Sequence, residues 1–300
     1  MTTARPQPCV VTFNTKAADY WALTKPEINF LIAIATLAGF CLGLPAEPHG
    51  FPFVLLTHTL LGTMLVAGGA GALNQYVERR FDALMRRTAR RPLTAGRIEP
   101  SSALWLGILL SLAGGTYLAL TVNALASLIA LLTLGSYLAL YTPLKRKTPF
   151  CTLAGGLSGA TPPLIGWAAA SGKLSFEAWI LFAMLFLWQF PHFMAIAWMY
   201  REDYARAGYL VLPRGEQSRH FMSWQAAVPA LVLIPVSLSP TLTGHAGLVY
   251  FALDFAMSAG FFFFSARLAF RRSNGAARRL LMISIVYLPL VFALMVLDKI

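Results

Sequence analysis

The side chains best suited to chemistry lie in one stretch, residues 74–97, where a long apolar segment runs into acids and then into arginines. Asn74, Glu78 and Asp82 stand four residues apart. On a continuous helix they drift about 40° per step and span roughly 12 Å of one face, so an amide and two carboxylates converge on one pocket. Arg87, Thr88, Arg90 and Arg91 follow just past the expected helix end. Oxygen ligands for a hard cation therefore sit beside donors suited to phosphate, which is the chemistry of a metal–diphosphate site. Arginines at a membrane-helix end are ordinarily anchors that report orientation. Acids have no part in topology and are costly in lipid, which makes Glu78 and Asp82 the functional candidates.

A second, looser set repeats this chemistry: Pro191-His192-Phe193, then Tyr200-Arg201-Glu202-Asp203-Tyr204 with Arg206 and Gly208. Glu202 and Asp203 are adjacent and cannot both point into a site from a regular helix; Asp203 is taken as the inward one. If the helices form one bundle, the two acidic sets face each other across a cavity opening at the cytoplasmic membrane surface.

The elements that must position these residues are membrane helices. The chain has 300 residues, 57% hydrophobic and 12% charged, with a mean hydropathy of +0.63. That composition belongs to the membrane class. Stretches near the length needed to cross a bilayer fall at about 27–44, 52–77, 102–121, 123–141, 150–170, 176–199, 224–241, 246–266 and 280–297. The expectation is thus an all-α, polytopic bundle of nine spans, with a tight hairpin between the third and fourth. Residues 1–22 are read as a cytoplasmic or interfacial segment without a secretory signal, and 23–300 as a single transmembrane domain. With the amino terminus inside, all but Lys173 and Lys299 of the 24 basic residues fall on the cytoplasmic side. The carboxyl terminus is then outside. Topology accounts for the formal charge of +12, and nucleic acid is not needed to explain it. Cys9, Cys41 and Cys151 are far apart with no C-x-x-C, and suggest neither a disulfide framework nor a zinc site. Asp254, an acid inside the eighth span, stays unassigned.

The motifs resemble those of the UbiA superfamily of intramembrane prenyltransferases, and within it the haem O synthase (protohaem IX farnesyltransferase) subfamily. The superfamily pattern N-x-x-x-D-x-x-x-D is matched by Asn74, Glu78 and Asp82, with Glu in place of the middle Asp. The subfamily form M-x-R-T-x-x-R-P-L is matched by Met85, Arg87, Thr88, Arg91, Pro92 and Leu93. Leu23-Thr24-Lys25-Pro26, Tyr141-Thr142 with Leu144-Lys145-Arg146, Pro162-Pro163-Leu164-Ile165-Gly166-Trp167 and Pro191-His192-Phe193 add to the likeness. The resemblance implies that Asn74, Glu78, Asp82 and Asp203 bind Mg²⁺ around farnesyl diphosphate while Arg87, Arg91, Lys145 and Arg146 hold its phosphates. It implies haem b as acceptor, with His192 contacting it, and a site open to the cytoplasm in the cell inner membrane. Haem A synthase or terminal oxidase assembly factors would be partners. Tyr76, Tyr141, Trp167 and Trp188 are candidates to stabilise an allylic cation through their ring faces. Prenyl transfer to a quinone or chlorophyll precursor is the nearest rival, and a multi-span transporter or a pure assembly factor the rivals of other classes. Against a transporter, the acids sit at cytoplasmic mouths rather than mid-span, and no internal repeat is evident.

Overall fold

Apolar runs become helices here because a backbone in lipid must satisfy its polar groups within its own segment. A computed structural model describes residues 13–45, 50–213, 215 and 217–300; Arg5, Cys9 and Arg214 lie outside the described residues. Helix α1 (Phe13–Leu23) leads into α2 (Pro26–Gly43), α3 (Phe53–Asp82), α4 (Pro100–Thr121) and α5 (Ala124–Leu144). Then come α6 (Cys151–Gly159), α7 (Pro162–Ser171), α8 (Phe176–Met199) and the short α9 (Arg201–Arg206). Helices α10 (Gln217–Leu242), α11 (Leu248–Arg271) and α12 (Asn274–Leu297) complete an all-α membrane bundle. Its outer surface is apolar, with Trp105, Leu112, Leu120 and Phe263 all exposed.

Eight helices among the described residues are long and apolar enough to cross a membrane. The expected single span at 150–170 is instead the pair α6 and α7, neither long enough alone. Pro162 and Pro163 lack the N–H groups that would continue α6, and they suit the first turn of a new helix. The pair still carries the chain from one end of the bundle to the other. Lys145, just before α6, bonds Glu78 at the end of α3, whereas Ala168 in α7 accepts a hydrogen bond from Asn123, at the start of α5, at 2.8 Å. The expected hairpin between α4 and α5 is present, with the Asn123 side chain capping α5 through the Ala126 N–H.

Close backbone approach sets two helix crossings, as small residues do in membranes generally. A Cβ on Gly69 of α3 would lie 2.3 Å from Ser111 Oγ and 2.8 Å from the Gly107 carbonyl of α4. Between α2 and α7 the contact is reciprocal: a Cβ on Gly39 would meet the Pro163 carbonyl at 2.0 Å, and one on Gly166 the Thr36 carbonyl at 1.9 Å. One core joins α2 to the α8–α12 half through Met184, Trp188, Tyr250 and Phe292, and another joins α2 to α3, α5 and α7 through Phe40, Val66, Ala130 and Ile165. A cavity of about 490 Å³ opens between the halves.

Candidate active site

Helix α3 runs five residues beyond the hydropathic span and ends at Asp82, so Asn74, Glu78 and Asp82 do share one helix face, and all three line the cavity. Each is buried and each meets a cation. Lys25 donates to Asn74 Oδ1 at 2.6 Å, Lys145 to Glu78 at 2.9 and 3.1 Å, and Arg91 to Asp82 Oδ2 at 2.6 Å. Asn74 also donates to Glu78 at 3.0 Å and to Thr142 Oγ1 at 3.3 Å. Burial draws the Lys145 ammonium down, but Glu78, together with Tyr137 and Tyr204, outweighs it and leaves Lys145 above its ordinary value.

Local structure places the cations. Beyond Asp82 the chain folds into tight turns, where the Thr88 hydroxyl donates to the Asp82 carbonyl at 2.7 Å and brings Arg91 back over the carboxylate. At the end of α5 a π-helical turn, Tyr137–Tyr141, directs Tyr137, Tyr141 and Lys145 to the cavity, an irregularity common at functional sites. Lys25 adopts φ +54, a left-handed backbone that costs a non-glycine residue on the order of 1–2 kcal/mol. The turn is held on α3 by Gln75, whose amide donates to the Ala22 and Leu23 carbonyls at 3.3 and 3.0 Å. Burial first, and then the positive charges of Arg91 and Lys145, pull the Lys25 ammonium down to about 7. The sequence reading matched Lys25 to a motif without giving it a role; a lysine directly before the N1 proline of the first span is the signal that marks it.

Not every expected residue joins the cavity. Asp203 is buried and Glu202 exposed, as the helical argument required. The Asp203 carboxylate, however, accepts from the Arg87 backbone N–H at 3.1 Å and pairs with Arg206, and it lies in a separate polar cleft with Arg86, Tyr200 and Arg201. In this arrangement it braces the arginine loop and does not line the cavity with the triad. Burial pushes its carboxyl up, but those donors and the Arg86 backbone N–H together hold it below the usual carboxylate range. Arg87 lines both spaces and lies 4.8 Å from the Tyr200 ring centroid. Arg146, expected among the diphosphate-binding residues, packs over Phe81 at 4.6 Å and does not line the cavity. Of the four aromatic candidates Tyr141 and Trp188 line the cavity and Tyr76 and Trp167 do not; Tyr204 of the second set does, and so do Tyr137 and Tyr209, which the sequence did not single out. His192 lines the cavity wall on α8.

Among the described residues no three His, Cys, Asp or Glu side chains come together closely enough to cage a metal. The hard oxygens of Asn74, Glu78 and Asp82 at the cavity mouth suit Mg²⁺, which binds through one or two carboxylates and completes its shell with substrate phosphate and water. Asn74, Glu78 and Asp82 are the residues that would hold it.

Hard oxygen ligands ringed by cations, at the mouth of an apolar cavity inside a membrane bundle, define a membrane protein built to hold an amphipathic molecule with an anionic head. The chain belongs to the UbiA prenyltransferase family, whose model matches residues 32–288. It is 46% identical over 287 residues to the protohaem IX farnesyltransferase of Solibacter usitatus, covering 94% of this chain and 98% of that one. It is 41% identical to the protohaem IX farnesyltransferase of Koribacter versatilis, covering 94% and 93%. Among solved structures it resembles a digeranylgeranylglyceryl phosphate synthase (TM-score 0.75, 17% identity, 94% and 98% covered). It also resembles a UbiA homologue from Archaeoglobus fulgidus bound to GPP and Mg²⁺ (TM-score 0.62, 15% identity, 92% and 99% covered).

Proposed function

We propose that the protein transfers a farnesyl group from farnesyl diphosphate to a vinyl group of haem b, giving haem O. The observation that carries this reading is a single cavity with a charged mouth, built of Asn74, Glu78, Asp82, Lys25, Arg87, Arg91 and Lys145, and apolar walls that include an imidazole, His192. Near full-length identity to protohaem IX farnesyltransferases supports haem over a quinone or chlorophyll precursor.

Mg²⁺, when bound, neutralises the diphosphate and makes it a better leaving group. The chain's own residues do the rest. Arg87, Arg91, Lys145 and Lys25 supply donors to phosphate oxygens, and the ion pairs that Arg91 and Lys145 now make with Asp82 and Glu78 are exchanged for substrate contacts. As the C–O bond breaks, positive charge develops on the allylic carbon, and the faces of Tyr137 and Tyr141 stabilise it. The apolar walls exclude water until the vinyl carbon has attacked. Water then adds to the resulting cation, loses a proton to the departed diphosphate and leaves a hydroxyl on the side chain. His192 orients the haem through its iron or a propionate. Asp203 and Arg206 steady the loop that carries Arg87. The protein works in the cell inner membrane with its mouth toward the cytoplasm, and hands its product to haem A synthase or to terminal oxidase assembly.

The test is direct. Purified protein supplied with haem b, farnesyl diphosphate and Mg²⁺ should yield a haem heavier by one farnesyl group and one hydroxyl, and none when Mg²⁺ is chelated. An unchanged haem, together with prenylation of a quinone precursor supplied in its place, overturns the proposal.

A further inference from the structure

We infer that Ser284 of α12 is the positioning residue that leaves His192 with a bare Nε2 facing the cavity, ready to ligate the iron of the porphyrin substrate. The inference rests on haem being the second substrate. Ser284 is fully buried, and its hydroxyl has two partners: the Leu281 carbonyl at 2.7 Å and His192 Nδ1 at 2.7 Å. A carbonyl only accepts. The one assignment that satisfies both contacts sends the serine proton to Leu281 and makes His192 Nδ1–H the donor to Ser284 Oγ. Nε2 then carries a lone pair, and it makes no hydrogen bond among the described residues.

The same residue fixes the ring plane. The Ser284 backbone carbonyl accepts from Trp188 Nε1 at 3.0 Å, and the Trp188 ring stacks on the imidazole with centroids 4.8 Å apart and planes 24° from parallel. Ser284 thus sets both tautomer and orientation, as the partner of a metal-ligating histidine does. A neutral imidazole with a bare Nε2 cannot donate to a propionate, so iron is the match. Iron bound there seats the porphyrin against the apolar wall of Ile285, Leu288 and Pro289, which share the cavity.

The experiment titrates ferric haem b, and separately metal-free protoporphyrin IX, into the full chain in lipid nanodiscs, reading Soret position and electron paramagnetic resonance. Wild type should show nitrogen-ligated iron. His192→Ala should lose that signature and bind haem about 10-fold more weakly or worse, with metal-free porphyrin affinity within about twofold of wild type. Ser284→Ala should give a mixed ligation spectrum and an affinity loss of about 10-fold, and Ser284→Thr, which keeps the hydroxyl, should restore both. Metal-free porphyrin binding checks that each variant is folded, and His192→Phe serves if the alanine collapses. A wild-type spectrum in Ser284→Ala overturns the positioning role, and nitrogen ligation persisting in His192→Ala overturns the ligand. Farnesyl transfer is measured on the same wild-type preparation. Product without nitrogen ligation sinks this inference alone, whereas ligation without product sinks the functional proposal alone.

Discussion

At the scale of single residues, the site is a set of oxygen ligands held in waiting by cations that the substrate will also need. Asp82→Asn keeps the size and removes the charge that both Arg91 and a metal would meet. Turnover should fall at least about 100-fold, a loss of at least about 2.7 kcal/mol of transition-state stabilisation, while the protein purifies at normal yield. Near-normal activity would remove Asp82 from the metal site. Glu78→Asp should be milder, since the carboxylate stays and only its reach shortens. Lys25 gives the site a pH dependence. In the free protein its ammonium is drawn down to about 7, so it is protonated below that pH and neutral above it. Diphosphate reverses the sign of its surroundings and favours the charged form, so binding takes up a proton. Affinity should therefore weaken as pH rises from about 7 toward the ordinary lysine range, by up to about tenfold per unit. Calorimetric titration of farnesyl diphosphate at several pH values checks this, because Lys25→Met should retain only the dependence due to the diphosphate itself. The triad and Arg91 were legible in the sequence because four-residue spacing on one helix is a local fact. The aim of Lys25 was not, because it depends on a left-handed turn docked onto Gln75, 50 residues away in the chain.

Helices and their crossings decide whether those residues meet. The long spans were legible from hydropathy alone, and the continuation of α3 to Asp82 from the motif it carries. The break between α6 and α7 was hidden because both halves are apolar, and only the local rule for consecutive prolines separates them. The destination of Asp203 was hidden for another reason: its burial follows from its place on a short helix, but its partner is the backbone of a loop 116 residues earlier. The α2–α7 crossing connects packing to the site, since α2 begins at the Lys25 turn and α7 follows directly on α6 at the cavity wall. With no room for a Cβ between Gly166 and the Thr36 carbonyl, Gly166→Ala must force the helices apart, at a cost of about 1–3 kcal/mol. Gly260→Ala on α11 is the counterpart: nothing lies within 4 Å of the new Cβ, and the helix should gain up to about 1 kcal/mol. Thermal unfolding in detergent, followed by the monodisperse fraction, should move down for the first and hold or rise for the second. A Gly166→Ala protein as stable as wild type would mean the crossing is looser than these distances require.

On the scale of the whole molecule, orientation determines which compartment the diphosphate site faces. Two groups of contacts mark the ends of the bundle. At one end Arg97 pairs with Asp19, Arg87 with the Asp203 carboxylate through its backbone, and Arg201 with Asn274. At the other, Lys299 donates to the carbonyls of Cys41, Leu42 and Leu44 at the end of α2, and His245 lies 3.4 Å from Glu177. The first end carries the charged mouth of the cavity and nearly all the arginines. Short loops rich in Lys and Arg stay in the cytoplasm, so that end is expected inside, with the amino terminus, and the carboxyl terminus outside. The α6–α7 pair must then count as a crossing, because without it every helix from α8 onward would be inverted relative to the basic residues. Single cysteines placed at Lys173 and at Arg90, both exposed, separate these arrangements once Cys9, Cys41 and Cys151 are replaced. An impermeant thiol reagent added to intact cells with a permeable outer layer should label the first and spare the second, and inverted vesicles should reverse the pattern. Labelling of both from the same side would mean that α6 and α7 do not cross, and labelling of Arg90 alone from outside would turn the diphosphate mouth away from the cytosol.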